Sequence, residues 1–483
     1  MAQLRSQNAQ LEQELSLLRQ QVDWLKKQVF GSGKSEKLDK AQLGLGIDEE
    51  HSVAPEAESI PVPAHERKKR KQQKSRDESY GHLPIKRSHT IIPDEVQADP
   101  DAYEQIGEER TYELGITTPE FYRIEYVRPR YRLKTDKAQP PVIAPAPARP
   151  VQGVASANLL AHIILSKYVD HLPLYRQAKM YRRYQVSLSD QSMGRWIGRS
   201  SEVLEAIHNR MHQNLIDGDY LQIDETPIQV IDPDYPDSKT RSGWLWPISR
   251  PGGDVVFTWS MTRGSSHLDK LLKGFSGYLQ SDAYGVYDKF ARENDGIRLL
   301  SCMAHIRRQF DKAKGEGGDA QGILRQIAPL YQIEAELRQR GAGRGEIEQA
   351  RQNKSLPALN ALKEELIRIR QTHLPKSLTG KACDYALGVW DKAMVYCQRG
   401  DLQIDNNLIE NAIRPSALGK KNWLFIGHPK AGKRSAIIYS IVVSCQRHGI
   451  CPKQYLERVL ADQNLLRRQD PRGLTPAELT GQL

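Results

Sequence analysis

The chain has 483 residues, too many for one compact core, so several domains are expected. Lys and Arg outnumber Asp and Glu by 70 to 59, a formal charge of +11 that suits a nucleic-acid partner. Its five cysteines all fall at or after Cys302, which fits neither a disulfide framework nor a cysteine-rich zinc module. No apolar run approaches the roughly 20 residues needed to span a bilayer. The N-terminus is polar and carries no signal peptide, so a soluble cytoplasmic protein is expected.

Residues 1–45 read as a coiled coil. Leu4, Leu11, Leu18 and Leu25 recur every seven positions, with Asn8, Leu15, Val22 and Val29 four residues after each. That is a heptad seam, and its single polar member, Asn8, favours a homodimer in fixed register. Residues 46–78 read as a linker, acidic first and then basic from Arg67 to Lys71, an arm suited to phosphates. Residues 79–137 hold β-rich runs and form a small accessory module. The Pro/Ala stretch 138–152 is expected to be an extended linker. Residues 153–213 are helical: 174–184, a break at 185–189, then a second helix capped by Ser189 or Asp190. That order resembles a helix-turn-helix as much as a plain helical hairpin.

From 214 to 310 the pattern turns to strands, at 220–231, 243–248 and 254–262. A helix at 266–275 follows, then strands at 277–281 and 297–302 and a helix at 307–314. This order is that of an RNase H-like α/β domain. Residues 311–400 are helical and interrupt that domain, which resumes at 401–450 before a C-terminal tail, 451–483. Pro415 is expected to end the helix begun near Asp405.

Two acids follow strands directly. Asp224 sits in the apolar Leu221-Gln222-Ile223-Asp224-Glu225-Thr226, and Asp282 closes Leu279-Gln280-Ser281-Asp282. A carboxylate at such a position must be paired or metal-bound. On the later helix Asn406, Asn407, Glu410, Asn411 and Arg414 share one face by their three- and four-residue offsets. Two hard cations roughly 3.5–4 Å apart activate an attacking oxygen and stabilise a leaving one in phosphoryl transfer. Their minimal ligand set is one bridging carboxylate, Asp224, and two terminal ones, Asp282 and Glu410. Mg²⁺, or Mn²⁺, suits such oxygen donors. Asp405 competes with Glu410 for the third place, and Asp288 with Asp282 for the second.

Ordered strings throughout the chain carry a resemblance. They are Tyr168 through Pro173 to Arg176, Asp224-Glu225-Thr226, Asp282-Ala283-Tyr284, Cys302-Met303-Ala304-His305-Ile306-Arg307-Arg308, and Ile404-Asp405-Asn406-Asn407 through Glu410 to Arg414-Pro415. Residues 417–425 extend the last of them. Together these strings are similar to transposases of the insertion-sequence-66 family. The resemblance implies an RNase H-like catalytic domain of the Asp-Asp-Glu class, with a helical insertion before the glutamate. It implies Mg²⁺-dependent cleavage at transposon ends, transfer of the 3′-hydroxyl into target DNA, and accessory proteins from the same element. It carries the acidic roles onto Asp224, Asp282 and Glu410. Family members often hold a cysteine-rich zinc module ahead of the catalytic part, but no cysteine precedes Cys302 here.

Cys302 and His305 have C-x-x-H spacing without a second pair, so zinc is not expected, and the two read as support for the active site with Asn407 and Arg414. Arg307, Arg308, Lys420, Lys421, Lys433 and Arg434 are positioned to contact DNA phosphates. Residues 427–433 nearly match a phosphate-cradling loop, but Arg434 replaces its Ser or Thr, so a basic DNA-contacting loop is expected. Trp423 reads as core. Two rival functions are a catalytically inactive DNA-binding or regulatory relative and an ATP-driven DNA motor.

Overall fold

The computed structural model describes residues 80–117, 120–136, 138–234 and 240–482. The expected coiled coil and the basic linker lie outside the described residues.

The described part begins with a four-stranded sheet: β1 (Ile85–Thr90), a short helix α1 (Asp94–Ala98), β2 (Tyr103–Thr117), β3 (Glu120–Leu133) and β4 (Val142–Ile143). The long β2–β3 hairpin is antiparallel, and β1 runs parallel to β3. The Pro/Ala stretch expected to be a linker is extended but docked. β4 pairs with β3, Ala144 and Val151 are buried, and the Arg128 guanidinium donates to the Ala144 carbonyl (3.1 Å). Pro-rich backbone has few N–H groups to satisfy, so it can lie along a surface at little cost.

Three helices follow: α2 (Ala157–Tyr168), α3 (Leu174–Arg182) and α4 (Asp190–Ile216). Of the two possible caps of α4, Ser189 does the work, its hydroxyl accepting from the Ser192 amide (3.1 Å). α4 runs for 27 residues, and its apolar face (Met193, Ile197, Leu204, Ile207, Met211) lies in the main core.

A seven-stranded sheet forms the centre: β5 (Tyr220–Ile223), β6 (Thr226–Ile231), β7 (Thr240–Ser249), β8 (Val255–Ser260), β9 (Gly277–Ser281), β10 (Ile297–Ser301) and β11 (Phe425–Ile426). The single strand expected over 220–231 is two. β7 pairs with β6 along its first half and with β5 at its end, leaving Asp224 and Glu225 at the break. Across the sheet the order is β8–β7–β5–β9–β10; β7 runs antiparallel to both β8 and β5, and β5, β9 and β10 run parallel. β5 is buried along its whole length, as a central strand covered on both faces must be. Between the strands lie α5 (Ser265–Leu271) and α6 (Gly285–Glu293); α7 (Met303–Ala313) follows β10. Gly277 has φ +140°, and a Cβ there would stand 2.3 Å from the Asp219 carbonyl oxygen, so only glycine lets β9 start beside β5.

The helical block contains α8 (Gly318–Gln339), α9 (Arg344–Ala350), one π turn (Arg351–Ser355), α10 (Leu356–Thr372) and α11 (Leu378–Met394). It has its own core with α7, in which Phe310, Ile323, Ile327, Leu330, Leu359, Leu366 and Trp390 are fully buried. The chain then re-enters the α/β part through α12 (Asn407–Trp423) and α13 (Pro429–Arg447), and closes with α14 (Pro452–Ala461) and α15 (Gln463–Arg468).

Two expectations fail here. Pro415 does not end its helix: α12 continues through it to Trp423. Proline forfeits one intrahelical bond, at a cost of about 3 kcal/mol. Burial of Ile409, Ala412, Ile413 and Ser416 on the neighbouring side of α12 opposes that loss. The presumed basic loop at 427–433 is only a short turn, since α13 begins at Pro429 and the strand before it has two residues. α13 seals the open edge of the sheet. Its Ser440 and Ser444 hydroxyls accept from the Phe257 and Val255 amides of β8, both at 2.8 Å.

Candidate active site

The break between β5 and β6 sends its two acids to different fates. Glu225 is buried and held by Arg263 (Nε to Oε1, 2.7 Å) and by the Tyr287 hydroxyl. Arg263 itself lies over the Tyr284 ring at 3.9 Å and the Trp244 ring at 4.9 Å. Among the described residues Asp224 has no such cation. Its Oδ1 accepts from the Glu225 amide (2.8 Å), and its carboxyl is pushed well above the usual range by burial and by the charges of Glu225, Asp282 and Glu410. Asp282 stands at the end of β9, the parallel neighbour of β5, with Oδ1 accepting from the Tyr284 amide (3.0 Å).

Glu410 arrives from far along the chain, and polar side chains at the sheet end fix its approach. Gln222 of β5 donates to the Asp405 carbonyl (3.0 Å), and Gln280 of β9 to the Gln403 carbonyl (2.8 Å). The Met303 amide donates to the Ile404 carbonyl (3.1 Å), and the Asn406 amide to Cys302 Sγ (3.3 Å). Residues 403–406 are thus stitched across β5, β9 and the start of α7, and Glu410 follows in the first turn of α12. These buried glutamines were not singled out from the sequence. The signal was available, because a glutamine inside an apolar strand must find a partner.

Glu410 is about one-sixth exposed. Arg308 donates to its Oε2 (2.9 Å), and His305 Nδ1 faces its Oε1 at 3.6 Å. Cys302 Sγ, a ring nitrogen of His305 and a carboxylate oxygen of Glu410 lie within 4.8 Å of one another. Burial pushes the Cys302 thiol up to about 12 and lowers His305 below the usual imidazole value, against the opposing pull of Glu410.

The competing acids are occupied. Asp288, on α6, is ion-paired with Lys392 of the helical block. Asp405 accepts from the Asn407 amide (3.1 Å) and side chain (2.8 Å). Among the basic residues singled out, Arg307, Arg414, Lys421 and Lys433 are exposed. Lys420 donates to the Pro227 carbonyl (3.2 Å), Lys433 pairs with Glu205, and Arg434 donates to the Gly194 carbonyl of α4 (2.7 Å). Trp423 packs edge-on to Tyr168, with the Lys167 ammonium 4.7 Å from its ring centre.

Comparison with known proteins identifies the family. The chain is 31% identical over 474 residues to uncharacterized protein y4jD of Sinorhizobium fredii (strain NBRC 101917 / NGR234), covering 93% of this chain and 92% of that one. It is 32% identical over 397 residues to uncharacterized protein y4qI of the same strain, covering 78% and 72%. A family model described as transposase C of IS166 homeodomain matches residues 17–87. The model of the transposase IS66 family matches residues 152–434, from just before α2 to the first turn of α13. That match spans more than half of the chain, which therefore belongs to the IS66 transposase family.

Proposed function

We propose that the protein is a DNA transposase of the Asp-Asp-Glu class, which cuts transposon ends and joins them to target DNA. The observation that carries the reading is the convergence of Asp224, Asp282 and Glu410 at one end of the central sheet, where Asp224 is buried against like charges. The strand order β8–β7–β5–β9–β10, with three antiparallel strands followed by two parallel ones, supports an RNase H-like domain. The helical block between α7 and α12 is then its insertion.

Mutual repulsion among these carboxylates and the burial of Asp224 fit a site for divalent cations of the Mg²⁺ class, with Mn²⁺ as substitute. Bound there, such ions would activate the attacking oxygen and stabilise the leaving one. Asp224 would serve both positions, and Asp282 and Glu410 one each. Arg308 holds the Glu410 carboxylate in place, and the stitched 403–406 segment fixes the first turn of α12. The exposed Arg307, Arg414, Lys421 and Lys433 would meet phosphates, and the N-terminal heptads would pair two protomers so that two ends are held together. Accessory proteins from the same element are part of this reading, as is action in the cytoplasm.

The test is strand cleavage and joining on labelled end DNA with Mg²⁺, comparing the wild type with Asp224→Ala, Asp282→Ala and Glu410→Ala. All three variants should bind DNA and fail to cut. Cutting that survives any one change removes that residue from the ligand set. A wild type that binds ends and never cuts, with or without its accessory proteins, would favour the inactive regulatory relative.

A further inference from the structure

Three metal-ligating side chains meet beside the acidic pair. Cys302 Sγ, a ring nitrogen of His305 and a carboxylate oxygen of Glu410 lie within 4.8 Å of one another. His305 Nδ1 and Glu410 Oε1 are enclosed by protein, and neither has a hydrogen-bond partner. Buried polar atoms are normally satisfied, so two orphans facing each other call for an explanation. Their separation is 3.6 Å, too long for a hydrogen bond. Nitrogen and oxygen ligands bound at about 2.05 Å to one tetrahedral ion stand about 3.3 Å apart, and a sulfur at about 2.3 Å stands about 3.6 Å from each. The spacing is close to one edge of a coordination tetrahedron.

The placement of these groups is not accidental to the fold. Cys302 caps α7 and His305 lies in its first turn, while Glu410 lies in the first turn of α12. The bonds from the Met303 amide to the Ile404 carbonyl and from the Asn406 amide to Cys302 Sγ lock these two helix starts together. The Asn406 N–H offsets only part of the burial that keeps the Cys302 thiol protonated, so an incoming cation would have to displace that proton. Sulfur, imidazole and carboxylate together select a softer ion than Mg²⁺ does. Three protein ligands leave a fourth position for water or a substrate atom.

We propose that Cys302, His305 and Glu410 form a binding site for one thiophilic divalent cation of the zinc class. On binding, a metal–sulfur bond forms and the thiol proton passes to solvent; nothing is oxidised or reduced. Glu410 Oε1 then serves this ion, while Arg308 keeps Oε2. Where the transposase reading holds, the zinc-class ion and the Mg²⁺ pair therefore share one carboxylate. C-x-x-H lacked a second pair in the sequence because its third ligand comes from beyond the helical block.

The test uses the full chain and Co²⁺, read by thiolate-to-cobalt charge transfer in the near ultraviolet and by displacement with Zn²⁺. A charge-transfer band that saturates at one thiolate-bound Co²⁺ per chain is expected in the wild type. The band should vanish in Cys302→Ser. Zn²⁺ affinity should fall at least about 100-fold in Cys302→Ser and His305→Gln, since losing even an outer partner of a ligand costs 10–100-fold. Cys451→Ser, which changes the one exposed cysteine, should keep the band, and so should Asp224→Asn. A wild type without the band overturns the site, as does a band that survives Cys302→Ser or disappears with Asp224→Asn. No DNA enters the assay, so cobalt binding without strand cleavage would refute the transposase reading alone, and cleavage without cobalt binding this site alone.

Discussion

The α/β part and the helical block each bury charge, and they treat it in opposite ways. In the block, Arg351 is almost fully enclosed and its guanidinium meets Glu334 with two bonds (2.8 and 2.7 Å). Its remaining donors reach the carbonyls of Tyr396 (3.0 Å) and Arg399 (2.7 Å). That cluster is complete as it stands, and it ties the π turn to the end of the block. At the sheet end, Asp224 faces Glu225, Asp282 and Glu410 with no cation of its own among the described residues. Burial by itself therefore does not mark a functional site. Burial left uncompensated does, because an isolated fold gains nothing from gathering like charges.

The largest effect should follow from removing one of those charges. Asp224→Asn should lower strand cleavage by about 10³-fold or more, since several kcal/mol of charge stabilisation are at stake. The same change should stabilise the metal-free protein. Folded Asp224 holds its proton above the ordinary carboxylate range, so between about pH 4 and its raised value the folded state binds more protons than the unfolded one. Stability contributed at that position is therefore lost as pH rises through the window. Thermal melts in chelator should show a shallower decline above about pH 4 for Asp224→Asn and a higher midpoint at neutral pH. Adding Mg²⁺ should raise the wild-type midpoint more than that of the variant. Identical pH profiles would mean that the cluster is compensated after all.

Breaking the complete cluster should have the reverse signature. Arg351→Ala leaves Glu334 buried without its cation, a loss of about 3–5 kcal/mol. Denaturant midpoints would read it, and the double variant Arg351→Met with Glu334→Gln should recover most of the loss. A shift below about 1 kcal/mol for Arg351→Ala would show that water or a rearranged block satisfies Glu334, and the contrast between the two regions would weaken.

Much of this contrast was legible in the residues, and the illegible remainder has physical causes. Asp224 and Asp282 stand out because each ends an apolar strand, where position alone decides which way a side chain points. The helical block and its return to the α/β part follow from apolar periodicity. Partners across the fold were not legible. Nothing local to Arg308 says that it holds Glu410 rather than a phosphate, and nothing near Asp288 announces Lys392. Pro415 misled because local propensity was outweighed by the packed side of α12. The stretch 138–152 is extended, as its composition suggests, and what composition does not show is that the neighbouring sheet edge gives it a place to dock.

The smallest expected effect tests the surface rather than either buried cluster. Lys433 and Glu205 form an ion pair in which the lysine is about two-thirds exposed and the glutamate about one-third. Such pairs contribute about 1 kcal/mol or less, so Lys433→Ala should barely move a melting midpoint. Its effect on DNA should be separable from stability. If Lys433 meets a phosphate, the slope of log affinity against log salt for end DNA should become shallower by about 0.9, the counterions of one contact. Fluorescence anisotropy across a salt series reads that slope directly. An unchanged slope would leave Lys433 as a partner of Glu205 alone and confine the phosphate contacts to other exposed cations such as Arg307, Arg414 and Lys421.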